Sequence, residues 1–200
     1  FELGPAHALA FGGEYQRLRA DYAYEASAHY HGSFLLFPGI APALRRSATL
    51  SPDGKLAALY VADRWRIAKS TIAEIGLRLD RYDSSGLREK TKLGPGISMR
   101  HELTPVTTLR WSVGRYFQAQ GLHELPVEDG VTTFAPAQRA DHVVLGVERR
   151  LGERYLMRAE VYRKEFDRLR PGFENLFDPL AILPELEPDR ARIAPDGAAA

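Results

Sequence analysis

The chain has 200 residues, 44% of them hydrophobic, with 27 Lys+Arg against 26 Asp+Glu and no cysteine; length alone suits one or two ordinary domains. That charge balance excludes the basic field on which nucleic-acid binding depends. No stretch approaches ~20 apolar residues free of charge, so no transmembrane helix is expected, and without cysteine there are neither disulfides nor thiolate metal sites.

Phe1 stands almost directly before a strand-like run, with no charged n-region, apolar h-region or small-residue cleavage site ahead of it. The chain therefore reads as cut from a longer one. The first strand-like segment, His7 to Arg17, alternates weakly. A long connection follows from about Glu25 to Gly54. It holds His29 and His31, which on a strand would face the same way, but no third ligand accompanies them and the pair reads as a solvated surface feature. Lys55 to Ile67 is a second weak strand, ended by a tight turn around Ala68 and Lys69. Thr71 to Asp80 is nearly unbroken: Ala73, Ile75, Leu77 and Leu79 occupy one face, and Glu74, Gly76, Arg78 and Asp80 the other.

After a connection from Asp83 to Thr91, Lys92 to Glu102 gives a fourth segment, with a second tight turn around Thr104 and Pro105. Thr107 to Phe117 sets Leu109, Trp111 and Val113 against Arg110, Ser112, Gly114 and Tyr116. The connection from Gln118 to Arg139 carries Glu124, Glu128 and Asp129; with no nucleophile nearby, these read as solvated loop carboxylates rather than a general acid and base. Asp141 to Arg149 sets Val143, Leu145 and Val147 against His142, Gly146 and Glu148, with Val144 the apolar intruder on the polar face. A third tight turn surrounds Leu151 and Gly152. Tyr155 to Arg163 then sets Met157, Ala159 and Val161 against Arg158, Glu160 and Tyr162. From Asp167 a long connection runs to the end, polar and Pro-bearing from Pro184 to Ala200, and 169–200 is expected to be a truncated external loop.

Short turns and long connections thus alternate, which puts every short turn at one end of a sheet and every long loop at the other, as in an outer-membrane barrel. Alternation sustained over about nine residues matches the ~9–11 of a tilted membrane strand better than the ~5–6 of a soluble one. Tyr15, Trp65, Trp111, Tyr116, Phe117, Tyr155 and Phe166 fall mostly toward segment ends, where a barrel carries its aromatic girdles. A soluble β-sandwich is the alternative, since its strands alternate too. The expected fold is all-β: an antiparallel up-and-down transmembrane β-barrel, partial, with about seven strands of a larger plugged barrel. Seven strands alone would leave two unpaired edges, which a bilayer does not tolerate.

On this reading the polar face lines a wet lumen. Its candidate residues are Glu74, Arg78, Arg100, Arg110, Glu148, Arg158 and Glu160, accompanied by Glu14, Arg64 and Arg66. Gly12, Gly76, Gly94, Gly96, Gly114 and Gly146 share that face. They either relieve inward crowding, so that a plug can approach the backbone, or mark bulges and sheet curvature. No GxSxG, P-loop, GxGxxG or HExxH motif occurs, and no enzyme, cofactor or metal is expected.

Several stretches resemble the barrel domain of TonB-dependent outer-membrane receptors: 60–67 (YVADRWRI) with 71–80 (TIAEIGLRLD), 108–118 (TLRWSVGRYFQ), and the run from Leu125 to His142. The resemblance implies a plugged barrel of roughly 22 strands in the bacterial outer membrane. It implies as partners the barrel's own plug domain, the TonB complex reached through an N-terminal region, outer-membrane lipid and a small scarce solute. Siderophore-iron, cobalamin, haem and oligosaccharides are the solute classes. The plug, the coupling motif and a closing strand with a C-terminal aromatic residue are absent from this sequence. A passive porin-like barrel, a soluble β-rich binding or adhesion module and an outer-membrane enzyme remain as alternatives.

Overall fold

The computed structural model describes residues 2, 4–29, 43–85, 87–88, 91–170, 172–175 and 190–193. Alternating sequence becomes strand throughout: β1 (His7–Arg19), β2 (Tyr22–His29), β3 (Ala43–Leu50), β4 (Asp53–Ala68), β5 (Thr71–Ser84), β6 (Leu87–Arg88), β7 (Lys92–Thr104), β8 (Thr107–Gln118), β9 (Gln138–Leu151), β10 (Tyr155–Asp167), β11 (Gly172–Asn175) and β12 (Arg190–Ile193). One sheet runs β1-β4-β5-β7-β8-β9-β10, with β6 paired to the end of β5. Every pairing in it is antiparallel. Each expected strand is present, and the tight turns fall at Lys69–Ser70, Pro105–Val106 and Gly152–Arg154. Gly152 takes φ +64°, the left-handed conformation that lets β9 fold straight back as β10.

The sheet strands are longer than their sequence cores, from 12 residues in β8 to 16 in β4. At ~3.3 Å per residue each spans roughly 40 Å or more, beyond a ~30 Å hydrocarbon core. Two register shifts, between Arg66 and Ala68 and between Glu102 and Thr104, sit beside the short turns. Elsewhere the ladder of the seven long strands keeps odd residues opposite odd and even opposite even.

At the other end the structure departs from expectation. The connection expected to run as polar loop from Glu25 to Gly54 contains most of a hairpin, β2 paired with β3, that begins at Tyr22. The Tyr22, Tyr24, Ala26, Ala28 alternation leans on alanine, a poor strand former, so the signal is weak. His31 lies outside the described residues. Within 169–200, β11 and β12 form a two-stranded sheet.

The buried apolar residues are inverted relative to a soluble sandwich. The long sheet contributes only Ala58 and Ala73 to them, whereas Leu122, Leu125, Val127 and Phe134 of the β8–β9 loop form a small core. Tyr22, Tyr24, Ala48, Leu50, Leu87 and Val131 pack against it. Meanwhile Phe11, Ile75, Leu145 and Val161, all on the odd face, are 62%, 51%, 47% and 64% exposed. No helix among the described residues is long and apolar enough to cross a membrane, which leaves crossing by strands untouched.

Candidate functional site

Because the ladder is in register, the even-numbered side chains of neighbouring strands meet in rows across one face of the sheet. Nearest the short turns, one row runs Ile72, Arg100, Arg110, Gly146, Glu160, and the next runs Glu102, Thr108, Glu148, Arg158. Arg100 and Arg110 are direct cross-strand partners, an arrangement of like charges that is unfavourable unless each is neutralised. Each is: Arg100 Nη2 lies 3.0 Å from Glu102, Arg110 Nη2 3.1 Å from Glu148, and Arg158 Nη2 2.9 Å from Glu160. Half-exposed pairs of this kind add at most ~1 kcal/mol each, so they orient side chains more than they stabilise the sheet.

Arg100, Arg110, Glu148, Arg158 and Glu160, with Arg64, Glu74, Ser98 and Ser112, surround a hollow of about 390 Å³. Glu74, Arg100, Arg110, Glu148, Arg158 and Glu160 are thus brought together around it. Arg78 is not among them. It lies closer to the long loops, with its Nε donating to Asp80 at 2.8 Å and its Nη2 3.5 Å from Glu14. Asp80, 3% exposed, is the buried charged residue of the described chain, and Arg78 neutralises it. Arg66 falls in a separate hollow beside Glu2, Gly4 and His7.

The middle of the same face is nearly bare. Ala10, Ala62, Gly76, Gly96 and Gly114 follow one another as cross-strand partners, ending at His142. Register is unbroken at these glycines, so they are not bulges. A methyl group on Gly76 or Gly96 would meet nothing closer than 3.7 or 4.0 Å, and local packing does not demand glycine there. Gly12 and Gly114 differ, since the rings of Tyr60 and Tyr116 lie over them, within 2.6 and 2.7 Å of where a Cβ would sit. Tyr116 in turn packs on His142, ring centroids 4.9 Å apart.

Toward the long loops the face turns apolar. Leu18, Leu56 and Tyr82 of the sheet and Leu122, Phe134 and Ala137 of the β8–β9 loop line a second hollow of about 390 Å³. That loop is built rather than loosely solvated. The Tyr22 hydroxyl donates to the Leu122 carbonyl at 2.5 Å and accepts from the Leu125 N–H at 3.0 Å. The Glu124 carboxylate accepts from the Gly121 N–H at 2.8 Å and from Arg170 at 2.7 Å. The Gly121 N–H foremost, and Arg170 after it, hold the Glu124 carboxyl below its ordinary range. The reading of Glu124 as a merely solvated carboxylate is corrected on this point: it fastens the loop. The sequence signal that could have exposed this was the spacing of Leu122, Leu125, Val127 and Phe134, a set of apolar residues too large for a solvated loop. Among the described residues no group of His, Asp and Glu could hold a metal ion.

The sequence model of the family described as TonB dependent receptor-like, beta-barrel matches residues 1–169. No functionally curated protein matches the chain in sequence. Two solved structures are similar in fold. The ferric enterobactin receptor PfeA of Pseudomonas aeruginosa, in a point-mutant form, superimposes with a TM-score of 0.58 at 19% identity over 86% of this chain. PfeA in complex with BCV-L6 gives 0.57 at 19% over 88%. The chain spans about a quarter of the length of these receptors, 25% and 26%. That match covers all seven long antiparallel strands of the sheet, and the chain belongs to the TonB-dependent receptor β-barrel family.

Proposed function

We propose that this chain forms part of the wall of an outer-membrane receptor that imports a scarce solute with energy delivered through TonB. The family is one of receptors, not enzymes. The observation that carries the proposal is the two-faced sheet: most of its exposed apolar residues stand on the odd face, while the even face carries charge, a bare middle and an apolar upper hollow. On this reading the odd face meets outer-membrane lipid, and Glu74, Arg78, Arg100, Arg110, Glu148, Arg158 and Glu160 line the lumen. The row from Ala10 to Gly96 leaves room for the backbone of a plug domain. Similarity to ferric enterobactin receptors favours a ferric siderophore as the solute, ahead of cobalamin, haem or oligosaccharide.

Single cysteines test this in the full-length chain expressed in the outer membrane. Ile75→Cys and Leu145→Cys are expected to resist a water-soluble maleimide, and Ser98→Cys and Gly146→Cys to react. Equal labelling of both sets would sink the barrel reading. Uptake of radiolabelled iron-siderophore that persists in a strain lacking TonB would overturn the energised-receptor part alone.

A further inference from the structure

β7 and β8 pair over only part of their length. From the short turn upward they match residue for residue as far as Gly96 opposite Gly114, and there the ladder between them ends. Both strands go on. β7 keeps its register with β5 up to Lys92 opposite Asp80, and β8 keeps its register with β9 up to Gln118 opposite Gln138. The sheet is therefore continuous below Gly96 and Gly114 and divided above them into two blades, β1-β4-β5-β7 and β8-β9-β10.

The cause lies in the next residue of β7. Pro95 has no N–H to give to a rung with Arg115, and a proline inside a sheet marks a place where pairing breaks. Beside it Gly94 tucks against the Arg115 carbonyl, where a Cβ would stand 2.9 Å from the oxygen. Each blade holds its own charges above the last rung. Arg115 donates to Asp141 through Nε at 2.7 Å and Nη2 at 2.9 Å, within the second blade. Arg78 serves Asp80 and Glu14, within the first. At the division the even face carries a hollow of about 560 Å³, lined by Tyr60, Arg78 and Tyr82 from one blade and by Tyr116 from the other.

The β8–β9 loop crosses from blade to blade. It leaves the second blade at Gln118 and lays Leu122 over Gly54 of β4, in the first, with a leucine methyl 3.3 Å from where a Gly54 Cβ would be. Leu122 and Phe134 share a hollow with Leu18 and Leu56. Tyr22, just beyond β1, ties the loop there through the Leu122 carbonyl and the Leu125 N–H.

We infer that the wall is hinged at the rung of Gly96 and Gly114. The outer ends of β8, β9 and β10 swing as a unit against β7, the β8–β9 loop is the strap between the blades, and Tyr22 is its latch. Release of the latch widens the hollow between Tyr82 and Tyr116, while the charged hollow around Arg100 and Arg110, below the rung, keeps its shape. The inference rests on the barrel reading in one respect. Unmatched backbone groups are not tolerated in hydrocarbon, and the division stands where the odd face of β8 turns from Val113 to Arg115, at the edge of its apolar band.

Spin-label pairs in the full-length chain in detergent, read by double electron–electron resonance, test the hinge. Both pairs reach from β5 to β9. Leu79→Cys with Arg139→Cys lies above the last rung, and Ile75→Cys with Val143→Cys lies below it, in the row Ile75, Ile97, Val113, Val143. Each pair is expected to give one narrow distance while Tyr22 is in place. Tyr22→Phe should add to the upper pair a second population longer by about 5 Å, one strand spacing, and leave the lower pair unchanged. Pro95→Val supplies the missing N–H and should return the upper pair of the Tyr22→Phe chain to a single distance; Pro95→Ala should do the same with a smaller side chain. An upper pair that is double before Tyr22 is changed, unmoved by Tyr22→Phe, or still double with both Pro95 variants would overturn the hinge and leave the barrel reading intact. Absence of a defined distance for the lower pair in the parent chain would overturn both.

Discussion

Tyr22 and Leu122, 100 residues apart in the chain, are joined by a 2.5 Å hydrogen bond from the Tyr22 hydroxyl to the Leu122 carbonyl. The same oxygen receives the Leu125 N–H, so one side chain of the β2–β3 hairpin satisfies both a carbonyl and an amide of the β8–β9 loop. The small core of Leu122, Leu125, Val127 and Phe134 depends on that seam, because it packs against Tyr22 and Tyr24. Tyr22→Phe keeps the ring and removes both bonds, at a cost of about 1–3 kcal/mol in loop stability. Hydrogen exchange at the Leu125 amide should accelerate roughly five- to hundredfold, in proportion to that cost, while amides in the middle of β5 and β7 keep their rates. Unchanged exchange at Leu125 would show that the loop holds without the seam.

Glu124 makes the same loop sensitive to acid. Its folded pKa lies below the ordinary value because the Gly121 N–H and Arg170 favour the carboxylate. A depressed carboxyl contributes stability that is fully present above its unfolded pKa and is lost as the pH falls through its folded pKa. Protection of the β8–β9 loop should therefore hold at neutral pH and decline in acid below the usual carboxylate range. In Glu124→Gln the loop should be weaker at neutral pH and should lack this acid transition. Loop protection measured against pH in both chains checks the sign.

Two glycines one pleat apart on β7 should respond differently to the same methyl group. At Gly94 a Cβ would stand 2.9 Å from the Arg115 carbonyl oxygen, a backbone atom that cannot step aside. Gly94→Ala is expected to destabilise by about 1–3 kcal/mol, as overpacking does. At Gly96 the nearest atom is 4.0 Å away, so Gly96→Ala should be neutral or slightly stabilising through a stiffer unfolded chain. Thermal unfolding in detergent separates the two. If Gly96→Ala unfolds as early as Gly94→Ala, the bare row is occupied by something within the wall itself.

Leu145 sits on the odd face between Trp111 and Val161. Leu145→Arg should cost about 2–4 kcal/mol if that face is in hydrocarbon, the range for a cation near a bilayer midplane. The comparison is Ser112→Arg on the even face, where a wet wall accepts charge and the cost should be small. Folding into vesicles followed by denaturant titration gives both values. Similar costs for the two would contradict the assignment of faces.

The wall of this protein was legible in its residues because a strand's two faces are a local property. Alternation at period two through Thr71–Asp80 or Tyr155–Arg163 needs no knowledge of neighbours, and the order of short and long connections followed by counting. Gathering Glu74, Arg100, Arg110, Glu148, Arg158 and Glu160 required only that each strand pair with the next long one, which antiparallel strands joined by short turns do. Register decided the rest. It set Arg100 beside Arg110 and Arg17 beside Lys55, and laid Gly76, Gly96 and Gly114 in one row. The hairpin from Tyr22 and the loop core around Leu122 and Phe134 are contacts between segments far apart in the chain. Their apolar residues are visible in the sequence, but what they bury against is fixed only when distant loops meet at the end of the folded sheet.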